Sequence, residues 1–170
     1  MIVLEITLYH SYLPESHEFH VPLEEIFSYG IKYNTKSNNR YSNGGTVKLE
    51  ITEKLRPRET PDWIDFRKAV GVDLTNRFSK SFCFPLFTHK VLVFNGELSM
   101  NIYDQSFYED LKETDEEALN FNTGRSIEYW IKEYWESMVA LEQYFQKKPY
   151  PKPEILIFED VLNQIIRVCE

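Results

Sequence analysis

His17-Glu18-Phe19-His20 is the only short histidine cluster in this 170-residue chain. Two imidazoles can share a divalent metal when their ring nitrogens converge. A helical metalloprotease site needs them at i and i+4 with a glutamate between them. Here the spacing is i, i+3, and Pro14 and Pro22 flank the cluster and disfavour a helix. On a strand the two rings would point to opposite faces. The sequence predicts a surface strand or loop there, and no metal.

Cys83 precedes His89 by six residues. A cysteine nucleophile needs a base within reach and a third group to orient that base. Phe82 and Phe84 flank Cys83, which favours an inert core thiol. Cys169 lies far away in sequence. The plain reading is two free thiols packed as small hydrophobes in a reducing compartment, because nothing in the spacing argues for a disulfide. His10 follows the first strand, and His89 sits between two apolar runs.

Other chemistry-bearing patterns read as structure. Gly44-Gly45 has no following Gly-Lys-Ser/Thr and no helix, so it makes no phosphate cradle. Thr123-Gly124-Arg125-Ser126 precedes a helix and is read as an ordinary cap with Ser126 as the capping residue. Glu128, Glu133, Glu136 and Glu142 lie away from the apolar stripe of their helix, with no histidine beside them, and read as a solvated face. Basic residues between Arg40 and Lys90 are diluted by Glu53, Glu59, Asp62, Asp65 and Asp73, which makes no nucleic-acid patch. No cofactor motif is present, and the chain reads as a non-enzyme.

Charge is the strongest departure from the ordinary. The net charge is −8. Residues 1–90 hold 12 Lys/Arg against 11 Asp/Glu, whereas residues 91–170 hold 7 against 16. The densest stretch, Asp104 to Glu117, has seven acids and one Lys112. Such a field repels phosphate backbones and anionic lipid and steers basic partners inward. Aromatic residues make up 15% of the chain, with 11 tyrosines. Tyrosine suits recognition surfaces because its hydroxyl wants a partner and its ring wants burial.

The elements that must position these residues follow from periodicity. Ile2, Leu4, Ile6 and Leu8 alternate as a strand, and residues 16–21 predict a second. Residues 22–29 predict a short helix that opens at Pro22 and stops at Gly30. Residues 34–45 are rich in turn formers and read as a loop. Thr46 to Thr52 alternates as a strand. Thr60, Pro61 and Asp62 predict a helix start, with Trp63, Phe66 and Val70 on one face and Gly71 as its end. Residues 81–87 and 90–94 read as strands. Asn95-Gly96 predicts a hairpin into Glu97–Ile102. A short helix is expected over 107–113. A long one is expected over 126–146, with Ile127, Trp130, Ile131, Tyr134, Met138, Leu141 and Phe145 as its stripe. After the Pro149–Pro153 connector, residues 154–169 predict an amphipathic helix, or a strand at 155–158 and a shorter helix.

The expected fold is α+β: a mainly antiparallel sheet with C-terminal helices packed on one face. It is expected as a single domain over 1–170, strand-rich over 1–103 and helix-rich and acidic over 104–170. The N-terminal run carries Glu5 and lacks a basic start and cleavage site, and all apolar runs are too short to span a bilayer. A cytoplasmic protein is therefore expected, as monomer or homodimer.

Small size, one acidic half, many tyrosines and no catalytic signature form a profile similar to that of bacterial immunity proteins and other acidic inhibitors that cap basic nuclease toxins. The similarity implies a non-enzymatic module that binds a basic protein partner such as a toxin domain. It would contact neither nucleic acid nor membrane. The expected partner face is Asp104, Tyr108, Glu109, Asp110, Glu113, Asp115, Glu116 and Glu117. Two alternatives stay open: a small hydrolase or transferase using Cys83, His89 or the His17/His20 region, and a structural subunit that dimerises through a helix.

Overall fold

The computed structural model describes residues 5–17, 20–32, 46–77, 80–147 and 149–169, the side chains of residues 46–49 apart. In chain order the elements are β1 (Thr7–Ser11), α1 (Leu23–Tyr29), α2 (Thr46–Lys54), β2 (Val70–Val72), β3 (Ser81–Pro85), β4 (Val91–Asn95), α3 (Gly96–Leu111), α4 (Ile127–Glu136), β5 (Val139–Ala140), α5 (Leu141–Lys147), β6 (Pro153–Ile157) and β7 (Arg167–Cys169). Short 3-10 helices occupy Phe66–Lys68, Glu116–Phe121 and Asn163–Ile165. The fold is α+β, with antiparallel strand pairing, as expected. The chain forms two compact units. One comprises residues 1–42, 61–91 and 155–170, and the other residues 43–60 and 92–154.

In the first unit β3 lies between β1 and β7, antiparallel to both. Leu8 and His10 on β1 stand opposite Phe84 and Phe82 and are buried, while their neighbours are partly open. That alternation is what a strand with one apolar face requires. β2 pairs with β6, Val70 opposite Ile157. Phe158 packs between Trp63 and Phe66, with ring centroids at 5.9 and 5.7 Å. α1 stops at Gly30, where φ is +82°, and Ile31 then bridges to Val161.

In the second unit β4 pairs with β5, Leu92 opposite Ala140. α4 packs on β4 through a stack of Phe94 on Tyr134, with centroids 4.6 Å apart. The Trp135 indole donates to the Thr52 carbonyl of α2 at 2.9 Å, and Arg56 lies over the same ring. Ile127, Ile131 and Tyr134 of the predicted stripe are buried on one face of α4, and Trp135, which the stripe omits, is buried beside them.

Several elements differ from expectation. Asn95-Gly96 turns no hairpin. Asn95 keeps an extended backbone, and its side chain accepts from the Glu97 amide at 3.1 Å, so it caps a helix 16 residues long. An asparagine ahead of an acid serves an N-cap as well as a tight turn, and the cap wins here. Thr46–Lys54 is helix where alternation predicts a strand; seven residues are too few to separate the two periods. The helix expected from Thr60 shrinks to the turn Phe66–Lys68, because the Asp65 carboxylate takes the Arg67 amide and guanidinium and β2 comes at once after it. Among the described residues the Thr60 hydroxyl has no hydrogen-bond partner and caps no helix.

The long helix breaks at Ser137. Its hydroxyl donates to the Tyr134 carbonyl at 2.6 Å and accepts from the Asn95 amide at 3.0 Å, which diverts the chain into β5. Residues 154–169 form no α-helix. The strand alternative holds as β6, and the chain then runs through one 3-10 turn into β7. Pro14 to His17 makes a turn in place of the second strand's start, and Glu18 and Phe19 lie outside the described residues. So do Met1–Leu4 of the first predicted strand and the loop at 34–45. No helix among the described residues is long and apolar enough to cross a membrane.

Candidate functional site

The eight candidate contacts all fall in the second unit. Asp104, Tyr108, Glu109 and Asp110 lie on the last two turns of α3. Glu113 sits in the turn after that helix. Asp115 caps the 3-10 helix, its carboxylate accepting from the Glu117 amide at 2.9 Å, and Glu116 and Glu117 form that helix's first turn. Acids at a helix start complement its amides, so part of this charge has a local structural use. Glu109, Asp110, Glu113, Glu116 and Glu117 are exposed, while Asp104, Tyr108 and Asp115 are half-buried.

Among the described residues, none of the seven acids is paired with a cation. The one base of the stretch, Lys112, lies 5.7 Å from the centre of the Tyr108 ring. The carboxylates do not converge either: no group of three or more acids, histidines or cysteines among the described residues could hold a metal ion. They spread over a surface, and their field adds outward into solvent.

That surface rests on a fixed polar network. Gln105 is buried and reaches the Thr123 amide and hydroxyl, both at 2.8 Å, and its own amide donates to Glu109 at 3.1 Å. The Trp130 indole donates to the Thr123 hydroxyl at 2.7 Å. Ser126 caps α4 by accepting from the Tyr129 amide at 3.1 Å, as the sequence predicts. Phe107 meets Phe121 edge to face at 4.7 Å, joining α3 to the 3-10 helix. Sequence reasoning misses Met100 and Tyr103 of α3, each 57% exposed. Their helical spacing is visible in the chain, but the strand reading of Glu97–Ile102 hides it.

The nucleophile alternative loses its nucleophile. Cys83 is fully buried and disulfide-bonded to Cys169, with the two Cα atoms 6.1 Å apart. This corrects the expectation of two free thiols. The fold joins β3 and β7 side by side, a proximity that 86 residues of sequence separation conceal. His89 is exposed, its ring near perpendicular to that of Trp63 with centroids 6.2 Å apart. His17 and His20 share the turn after Pro14, and His20 Nδ1 bonds the Leu13 carbonyl at 2.8 Å.

His10 is buried, and its Nδ1–H donates to the Gly71 carbonyl at 2.7 Å. Burial holds its pKa below the ordinary value, against the opposing pull of that carbonyl and of Asp73. A cavity of about 600 Å³ in the first unit is lined by Glu5, Thr7, Pro85, Leu86, Ile165 and Arg167, and no histidine faces it. No protein-family model matches the chain, and neither the curated proteins nor the solved structures contain a significant match.

Proposed function

We propose that the chain is a non-enzymatic binding module that takes a basic protein partner on the acidic face of the second unit. The carrying observation is the run of carboxylates from Asp104 to Glu117, none of them ion-paired among the described residues. An uncompensated field of this size raises the encounter rate of a cation and repels phosphate and anionic lipid. Tyr108 supplies an aromatic anchor within the same face. A toxin domain held inactive by this chain is one partner with the required charge. The proposal keeps the cytoplasmic location expected from the sequence, a compartment in which glutathione would hold Cys83 and Cys169 reduced instead of joined. Alkylation of Cys83 and Cys169 in freshly lysed cells tests that compartment.

The binding test begins with co-purification of the partner from the native cell. Its association rate should fall steeply from roughly 0.02 to 0.3 M salt, since screening shortens the field's reach. The quadruple variant Glu113→Gln, Asp115→Asn, Glu116→Gln, Glu117→Gln should slow association, and the asparagine keeps the cap on the Glu117 amide. A salt-independent rate, or unchanged binding by this variant, refutes the proposal.

A further inference from the structure

A surface helix normally turns its apolar residues inward and its polar ones to solvent. α3 does so only in part. Its buried residues are Gln105 and Ser106. On the opposite side Met100, Tyr103, Phe107 and Leu111 succeed one another at i, i+3, i+7 and i+11, which is one stripe along a helix. Met100 and Tyr103 are each 57% exposed, and Phe121, 37% exposed, extends the stripe where it meets Phe107. The stripe is about 16 Å long, at 1.5 Å per residue. Glu97 and Asp104 border it on one side and Asp110 on the other. The helix carries four carboxylates in all and no lysine or arginine.

We infer that this stripe is the docking surface for a basic amphipathic helix of the partner, about three turns long. The inference rests on the acidic-face reading and names what that face holds. Exposed apolar residues rimmed by charge of one sign call for a ligand with an apolar face and opposite charges on its flanks. A helix fits because its own i, i+3/i+4 ridges run along a stripe of the same spacing. The carboxylates set the rate of encounter, and Met100, Tyr103 and Phe107 hold the complex once water is expelled.

The probe is a synthetic leucine/lysine amphipathic helix of about five turns, and the control is a peptide of equal charge with its leucines replaced by serine. On the full chain the leucine/lysine peptide should bind at least about tenfold tighter than the control. Amide shifts on its addition should centre on Met100, Tyr103, Phe107 and Leu111. The double variant Met100→Ser, Tyr103→Ser should erase the difference between the peptides while leaving the salt dependence of the control intact. Equal, salt-dependent binding of both peptides overturns the apolar docking surface but keeps the acidic face. Failure of both peptides to bind overturns the two together. Shift changes centred elsewhere, or self-association in sedimentation that the double variant abolishes, also overturn the proposed docking, the latter in favour of a second copy of the chain. Shift mapping on the unsubstituted protein stays decisive if the double variant does not fold.

Discussion

The carboxamide oxygen of Gln105 accepts from both the backbone N–H and the hydroxyl of Thr123, each at 2.8 Å. The first residue is buried on α3 and the second begins the turn into α4, so one side chain ties two helices. Gln105→Leu keeps the volume and removes the acceptor. Leaving a part-buried amide without its partner costs about 1–3 kcal/mol. Urea denaturation should show that loss, and Thr123→Ala should cost less than additively when combined with it, because the two changes break one interaction. Additive losses would mean the bond contributes nothing.

His10 makes stability depend on pH. Its folded pKa lies below 6.5, the value it takes when unfolded. The unfolded chain therefore binds the proton first as pH falls. Stability from this group is complete above the unfolded pKa and declines below it, with a slope approaching about 1.4 kcal/mol per pH unit. Denaturation midpoints between pH 8 and 5 should drop on the acid side. His10→Gln should flatten that part of the curve, and an unchanged slope in the variant would assign it to other groups.

Asp65 acts in the opposite sense. The Arg67 guanidinium and amide hold its carboxyl below the usual value of 3.8. Its contribution is present above the unfolded pKa and is lost as pH falls through the lower folded one. Asp65→Asn should therefore weaken the fold at pH 6 by well under 1 kcal/mol, the range of an exposed pair, and by less still near pH 2. A loss that persists undiminished at acid pH would make it a matter of turn geometry alone.

Gly30 and Gly124 share a left-handed backbone, with φ of +82° and +79°. Their surroundings differ. A methyl at Gly30 would overlap the Val161 carbonyl oxygen, whereas one at Gly124 meets nothing within 4 Å. Gly124→Ala should cost roughly 1–2 kcal/mol for the backbone alone. Gly30→Ala should cost clearly more, because α1 and the Ile31–Val161 bridge must separate. Thermal melts of the two variants give the comparison, and equal shifts would exclude the overlap.

The disulfide joins Cys83 to Cys169 across a separation of 86 residues. Chain-entropy arguments assign a loop of that length about 4–5 kcal/mol. Denaturation with and without reductant, or of Cys83→Ser/Cys169→Ser, should show a loss of that order. A change below about 1 kcal/mol would mean that the reduced chain already holds β3 and β7 together.

Where one local signal acts alone, the sequence is readable. Gly30 ends α1, Ser126 caps α4, and the runs at Ser81–Pro85 and Val91–Asn95 are strands. Where one signal serves two structures, the reading fails. Asn95 suits a turn and a cap, and the alternation of Leu98, Met100 and Ile102 is compatible with a strand until that cap sets a helical period. Ser137 breaks a clean helical stripe through a bond to the Asn95 amide, a contact between residues 42 apart that no window can contain. The cysteine pairing is hidden for the same reason. The acidic face is legible as composition, since seven acids in 14 residues need no fold to be noticed. The apolar stripe beside it requires knowing that α3 is a helix and which of its sides is covered.

The Cys83–Cys169 bond also closes a covalent ring. The ring contains the whole of residues 92–154, the larger segment of the second unit. A protease that cuts once anywhere between the two cysteines opens the ring without dividing the molecule. The nicked protein runs as a single band until reductant is added, whereas a cut outside the ring releases a separate fragment at once. Proteolysis read on a non-reducing gel therefore under-reports cleavage in the acidic half, and the difference between the two gels maps it.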